Sequence, residues 1–578
     1  MDKQTVARVL DEIATLLELR GDEGFRARAF RTAARALEEL EEDLASLIAR
    51  GELRTVRGLG PATARVVQEV FETGTSSYHE ELRREVPDGL LELLHVPGLG
   101  TKRIHTLHTR LGIASLDDLE QAARAGAIAE LPGFGKRTQE RILEGIAYRR
   151  RTAGLRRRPE ALATAAELLA WLRADPSVVR AEPAGALRRG LETVDGVDLV
   201  AAVDGDGQEL LGRFISLPSA EPGERTADDA ARVRLGGIEV RLRVVPPEAF
   251  GAAWLHATGS EAHVEALRER AAARGLRLDA DGLWDGARRV DAADEDGIYR
   301  ALGLDVVAPE LREGSGEVEA AGAGLLPRLL RYEDLKGCFH VHTTYSDGRA
   351  TLKEMARAAL ERGWRYLGIA DHSQAAAYAG GLRLEDIVRQ HEEIDAWNAE
   401  HGDRLWLFKG IEADILADGR LDYAGLEEDV LERFDFVVGS VHSAFGSSQT
   451  EMTERIVRAM ENPHLTFLGH LTGRLLLERD GYPLDVEAVI EAAAERGVGI
   501  EINANPARLD MDWRWWRAAS ARGICAAINP DAHDAAGLDD VRYGVTVARK
   551  GWLGVRNVVN AWDLEEVRAY FAKRKGRA

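Results

Sequence analysis

"GCFHVHTTYSDG", residues 337–348, sets two histidines and an aspartate behind a short apolar run. Side chains alternate across a β-strand, so His340 and His342 share a face, while Asp347 follows in the next loop. The arrangement recurs downstream. "YLGIADHS" (366–373) brings His372 to the end of an apolar run, "WLFKGIEADI" (406–415) brings Glu412, and "FDFVVGSVHS" (434–443) brings His442. "LTFLGHL" (465–471) brings His470, and "ICAAINPDAH" (524–533) brings Asp531 and His533. With "GVGIEINAN" (497–505) and "WLGVRNVVN" (552–560) these make eight short β-rich runs alternating with helical patterns. Repeated β-then-α at this spacing predicts parallel strands in a closed barrel, whose C-terminal strand ends meet at one mouth.

A single histidine capping a strand is most simply a satisfied core group. Nine ligating residues at the same end of their strands are not explained that way. Imidazole together with carboxylate suits zinc or manganese, and a set of this size has room for two or three ions. Ions about 3.5 to 4 Å apart clamp a phosphate and lower the pKa of a bound water, which suits phosphoester hydrolysis.

The chain of 578 residues exceeds one ordinary core, and at roughly 100 to 200 residues per domain it predicts three or four. A net charge of −21 argues against indiscriminate coating of nucleic acid, so any nucleic-acid contact must be local. Two cysteines, Cys338 and Cys525, make no disulfide framework and point to a reducing cytoplasm. No apolar run is long enough to span a membrane, and the N-terminus reads as an amphipathic acidic helix.

Residues 1 to about 150 are helical in pattern and carry three similar turns: "VRGLGPATARVV" (56–67), "VPGLGTKRIHTL" (96–107) and "LPGFGKRTQERI" (131–142). Gly58 and Gly60, Gly98 and Gly100, and Gly133 and Gly135 let the backbone approach a ligand, and amides at the next helix start form an anion site. Lys102 and Arg103, and Lys136 and Arg137, begin those helices, whereas Pro61 and Ala62 stand there in the first turn. Helix termination by glycine is the simpler reading of one such turn, but three resemble helix-hairpin-helix motifs that bind the DNA backbone. The basic segment "YRRRTAGLRRRPE" follows, then an αβ stretch, and then "LREGSGEVEAAGAGLLPRL" (311–329), whose Gly, Ala and Glu predict a linker.

From "HVHTTYSDG" to "NPDAH" the C-terminal part resembles the PHP (polymerase and histidinol phosphatase) domain family. That resemblance implies one metal on His340, His342, Glu412 and Asp531, a second on Glu412, His442 and His470, and a third on Asp347, His372 and His533. Arg474 in "GHLTGR" is a candidate phosphate partner, with a surface ion pair as the alternative. "AGALRRGLETVDGVDLVAAVD" (184–204) and the segment from Val240 through "TGSEAHVEALRERAAARGLRLDADGLW" resemble the palm and thumb of family X DNA polymerases. The whole chain is thus similar to bacterial family X polymerases of the polymerase-plus-PHP type. The implied layout is helical domains at 1–80 and 81–155, a palm at 156–245, a thumb at 246–310, a linker at 311–335 and a distorted (β/α)7 PHP barrel at 336–578.

The palm departs from the family pattern of three metal-binding aspartates. Gly196 and Arg241 occupy two of the carboxylate positions, and only Asp198 keeps its acid. Gly185-Ala186, His256-Ala257 and Val264 replace further family residues, while Arg188, Arg189 and Thr258-Gly259-Ser260 remain, which implies a partly intact phosphate cradle. Arg241 is expected to pair with Asp198 and leave Mg2+ or Mn2+ without a place there, since an unpaired buried carboxylate is costly. A shifted set of Asp195, Asp198 and Glu239 would keep polymerisation alive and bind dNTP. The favoured function is a monomeric DNA repair enzyme using Mn2+ or Zn2+ for 3′-to-5′ phosphodiester hydrolysis. Gap-filling synthesis, a silent DNA-end scaffold and a small-molecule phosphatase are the rivals.

Overall fold

Parallel strands buried on both faces read as unbroken apolar runs, and the C-terminal half of the chain folds accordingly. The computed structural model describes residues 3–576 apart from 23, 39, 41, 291–293 and 426–429. It divides into two compact units, Met1–Ala153 and Gly154–Ala578.

The first unit is helical, and its core gathers Val6, Leu10, Ile13 and Leu17 of the helix Lys3–Arg20 with buried residues of the later helices. Its three glycine turns share one geometry. Leu59, Leu99 and Phe134 each donate a backbone N–H to the carbonyl three residues back, at 3.1, 3.0 and 3.0 Å. The preceding glycines, Gly58, Gly98 and Gly133, have φ of +103°, +86° and +83°, where a side chain would strain the turn. Gly60, Gly100 and Gly135 then cap the helices Pro61–Thr73, Thr101–Leu111 and Lys136–Thr152.

In the second unit the palm is a five-stranded sheet ordered Val178–Pro183, Val197–Val203, Ile238–Val245, Ala230–Leu235, Glu221–Ala227. The Val197 and Ile238 strands run parallel, which puts Asp198 directly beside Arg241. The thumb follows with the helices Phe250–Thr258 and Glu261–Ala272 and a small three-stranded sheet.

The stretch 311–335 is not the expected linker. It forms the helix Glu317–Ala323, and Leu311, Val318 and Ala321 are buried in the thumb core, while Leu330 and Leu335 join the barrel core. Small residues there let the helix pack closely instead of loosening the chain. Thumb and barrel are also joined by charge: the buried Lys550 ammonium reaches Glu313 at 2.6 Å and the Arg189 carbonyl at 3.1 Å, and Arg549 pairs with Glu310 at 2.8 Å.

The barrel has seven parallel strands in chain order: Gly337–Cys338, Tyr366–Ile369, Trp406–Asp414, Phe436–Ser440, Phe467–Leu468, Gly499–Asn503 and Ala526–Asn529. First and last strands meet through a parallel bridge between Val341 and Ala532, with the His342 N–H on the Ala532 carbonyl at 2.9 Å. Around the N-terminal strand ends Phe339, Tyr366, Phe408, Phe436, Phe467 and Phe571 pack ring against ring. Glycine at 368 makes room for them, because a β-carbon there would lie 2.7 Å from the Phe436 ring.

The eighth β-rich run, "WLGVRNVVN", forms no strand, which leaves the seven that the resemblance implied. That segment is two 3-10 turns, Val555–Asn557 and Val559–Ala561, and its Asn560 side chain stands in for a strand at the seam. The Asn560 amide donates to the carbonyls of Gly337 (3.0 Å) and Ile528 (2.6 Å) and accepts the Ile528 N–H (2.7 Å). Asn560→Ala should orphan these buried groups at roughly 1–3 kcal/mol. The expected result is a barrel melting midpoint lowered by several degrees in near-UV circular dichroism; an unchanged midpoint would contradict this account of the seam.

Candidate metal centre and a closed palm

Glu412 lies two residues before the end of the longest barrel strand with its side chain only 1% exposed, and five imidazoles lie within 4 Å of its carboxylate. His340 Nε2 lies 3.4 Å away, His342 Nε2 3.7 Å, His372 Nδ1 2.8 Å, His442 Nε2 3.3 Å and His470 Nε2 3.0 Å. Asp531 approaches His342 at 3.0 Å, and Asp347 lies 3.6 Å from His372 and 3.4 Å from His533. All nine residues read from the strand ends are therefore at one mouth.

Charge follows burial. Burial opposes the His340 imidazolium, but Glu501, Glu412 and Asp531 outweigh it and hold the ring's pKa well above its ordinary value. By the same balance, chiefly through Glu412, His372 is pushed up to about 10 and His442 to about 9. Burial dominates at His342, which moves down. Glu412 and Asp531 stay well below the carboxylate range because the imidazoles overcome their burial. Two of the set also hold strained backbone, His470 with φ +23° and Asp531 with φ +53°.

Carboxylates behind the centre aim the rings. Glu501 binds His340 Nδ1 at 2.8 Å and Asp414 binds His442 Nδ1 at 2.7 Å, which leaves each Nε2 facing Glu412. Glu501 is itself held by Asn529 at 2.9 Å and Asn503 at 3.0 Å, and Asn503 also reaches Asp531 at 3.1 Å. Several inward atoms face one another without hydrogen-bond geometry: His340 Nε2 and His372 Nδ1 lie 3.4 and 2.8 Å from Glu412 Oε2, and His342 Nδ1 lies 3.8 Å from Asp347. Buried polar atoms are rarely left so, and a donor set of imidazole and carboxylate fits divalent metal. The potential ligand atoms group as His342, Asp347, His372 and His533; as His340, His342 and Glu412; and as His372, Glu412 and His442. His342 and His372 each belong to two groups, so the partition is more shared than the resemblance implied.

The supporting residues Glu501, Asp414, Asn503 and Asn529 were not singled out from sequence. Asp414, two residues beyond Glu412 on one strand, carried a readable signal, as did the alternation of Glu501 and Asn503.

Arg474 does not face the centre. Its guanidinium donates to the Arg508 carbonyl at 2.9 Å, to the Leu509 carbonyl and to Asp512 at 2.6 Å, with Glu192 of the palm at 3.6 Å. It is neither a phosphate partner nor a surface pair, but a buried tie between barrel and palm. The cation beside the centre is Arg508, 3.7 Å from Asp531.

In the palm, Arg241 takes up the carboxylates. Its Nε lies 2.6 Å from Asp198, its Nη2 3.2 Å from Asp195, and its Nη1 3.5 Å from Glu239. Burial works against the Arg241 charge, but the two aspartates outweigh it and raise its pKa. Glycine at 196 is fixed by crowding, since a β-carbon would sit 2.7 Å from the Glu239 carbonyl. The shifted set of Asp195, Asp198 and Glu239 thus converges, but on a guanidinium.

The expected phosphate cradle is also occupied. Arg188 forms a two-pronged pair with Glu295 at 2.7 Å, donates to the Thr258 hydroxyl at 2.6 Å and lies over the Trp254 ring. Arg189 is engaged by Glu313 at 3.2 Å and by the Thr258 carbonyl. Both cations are consumed inside the fold.

At the glycine turns Lys102, Arg103, Lys136 and Arg137 are exposed, and Arg103 donates to the Gly98 carbonyl at 2.8 Å. The first turn differs, because the Gly60 N–H is already bound by the Thr63 hydroxyl at 2.9 Å.

Comparison with known families agrees with this layout. Helix-hairpin-helix domain models match residues 1–76 and 90–147, the DNA polymerase beta thumb matches 253–313, and the PHP domain matches 339–505. A Bacillus subtilis protein named DNA polymerase/3′-5′ exonuclease PolX is 36% identical over 99% of this chain and 100% of its own length. The chain belongs to the family X DNA polymerases that carry a PHP domain. Over the barrel alone it is also similar to probable phosphatases. One from Thermoanaerobacter sp. is 26% identical across 41% of this chain and 94% of its own; another, from Acetivibrio thermocellus, is 32% identical across 28% and 63%. No helix among the described residues is long and apolar enough to cross a membrane.

The family's palm binds metal where this one holds Arg241, which gives a direct check. Arg241→Ala should destabilise the metal-free protein by about 1–3 kcal/mol, solvent screening keeping the cost below that of a fully buried pair. It should also add a Mn2+ site, so equilibrium dialysis should count one more ion per chain than in the unaltered protein. An unchanged count would show that the guanidinium does not occupy a cation's place.

Proposed function

We propose that this protein is a DNA repair enzyme whose working chemistry is metal-dependent phosphodiester hydrolysis at the barrel mouth, removing nucleotides from 3′ ends. The observation that carries this reading is the contrast between the two acidic centres. Glu412 and its imidazoles crowd ligand atoms together without hydrogen-bond geometry, whereas Asp195, Asp198 and Glu239 are already served by Arg241.

His340, His342, Glu412 and Asp531, then His442 and His470, then Asp347, His372 and His533 would hold up to three ions, manganese or zinc by donor type. Such ions, when bound, supply Lewis acidity and an activated water for in-line attack on phosphorus. The protein's own part is orientation: Glu501 and Asp414 fix the ring nitrogens, and Arg508 offers a charge for the scissile phosphate. The glycine turns at Gly98 and Gly133 are assigned to the DNA backbone, with Lys102, Arg103, Lys136 and Arg137 alongside; the turn at Gly58 is a weaker site because Thr63 takes one of its amides.

Templated synthesis is the rival, favoured by the full-length likeness to a protein named both polymerase and exonuclease. A 5′-labelled primer-template incubated with Mn2+, with and without dNTPs, separates the two. Shortening is expected in both cases, with no lengthening, and His342→Ala should slow shortening by at least about a thousandfold, the scale of lost metal catalysis. Lengthening by the unaltered protein, or undiminished shortening by His342→Ala, would overturn the proposal.

A further inference from the structure

Tyr378 lies in the 3-10 turn Ala377–Ala379, between His372 and the helix Leu384–His401. Its ring centroid is 6.3 Å from that of His372 and 6.4 Å from that of His442, two members of the metal set on different strands. Even so, the residue is 74% exposed, and its hydroxyl has no hydrogen-bond partner among the described residues. A large aromatic body left in water beside a buried polar centre has no packing role there.

The turn that presents it is firmly held. The Gln374 N–H donates to the Tyr423 hydroxyl at 2.9 Å, the Ala375 N–H to Asp422 at 2.7 Å, and the Leu382 N–H to the His372 carbonyl at 2.9 Å. Ala376 and Ala379 on either side are buried. A firmly held loop thus carries one largely exposed ring to the rim of the centre.

We propose that Tyr378 stacks on the nucleobase of the nucleotide being removed, which makes the mouth a subsite for an unpaired strand end. This rests on the nuclease reading above. A nucleobase is joined to its phosphate through a single sugar, so a phosphate held between His372 and His442 brings its base to the rim where Tyr378 stands. Every base has a π-face, so the contact tolerates any sequence. A paired base already has its stacking and hydrogen-bonding partners, so the subsite favours single-stranded or frayed ends.

The test uses the full-length protein with Mn2+ and 5′-labelled single strands ending in an ordinary or an abasic nucleotide. Loss of a base–aromatic stack predicts that Tyr378→Ala raises KM on ordinary ends roughly tenfold, and that Tyr378→Phe, which keeps the ring, restores it. On abasic ends the unaltered protein should already show the higher KM, and Tyr378→Ala should add nothing. Equal KM for Tyr378→Ala and the unaltered protein on ordinary ends, or an equal loss on both kinds of end, overturns the proposal. Failure of the underlying reading looks different: His342→Ala would then cut strands normally, whatever Tyr378 does.

Discussion

A carboxylate taken out of water must be given countercharge or give up its own. Glu412, almost fully buried at the end of the third barrel strand, imposes that condition on everything around it. Five other strand ends deliver imidazoles and carboxylates to it, and the requirement that these arrive together explains the closed parallel barrel, the left-handed backbone at His470 and Asp531, and the supporting acids Glu501 and Asp414. The imidazoles supply that countercharge and hold Glu412 well below the carboxylate range. Their inward nitrogens crowd Glu412 Oε2 without hydrogen-bond geometry, and a donor set so placed suits divalent cations.

The palm meets the same condition with residues of the chain. Asp198 and Arg241 are neighbours across two parallel strands, so a guanidinium arrives by register where a divalent ion is held in the family. Glycine at 196 and Glu239 close the space around it. Arg188 and Arg189 turn to Glu295 and Glu313, and Lys550 locks the latter pair to the barrel. The palm's ion pairs thereby tie it to the barrel.

Much of this was legible in the sequence because its signals are local. Gly-x-Gly turns, continuous apolar strands and ligands at strand ends each lie within a dozen residues, and the pairing of Arg241 with Asp198 followed from where the family resemblance sets the two residues. What was not legible depended on distant partners. Arg188 meets Glu295 across 107 residues and Arg189 meets Glu313 across 124, so cations that looked available were not. Arg474 gave the same false signal for the same reason. The stretch 311–335 had a linker's composition, but Val318 and Ala321 found a core to fill, and Asn560 replaced a strand through a side chain that no periodicity describes.

The central claim is that external cations belong to the barrel and not to the palm. Anomalous diffraction from crystals grown with Mn2+ reads this directly. The account predicts strong peaks bounded by Glu412, Asp531 and their histidines, and none beside Asp198. A peak between Asp195 and Asp198 with Arg241 swung aside, or an empty barrel mouth, would contradict it.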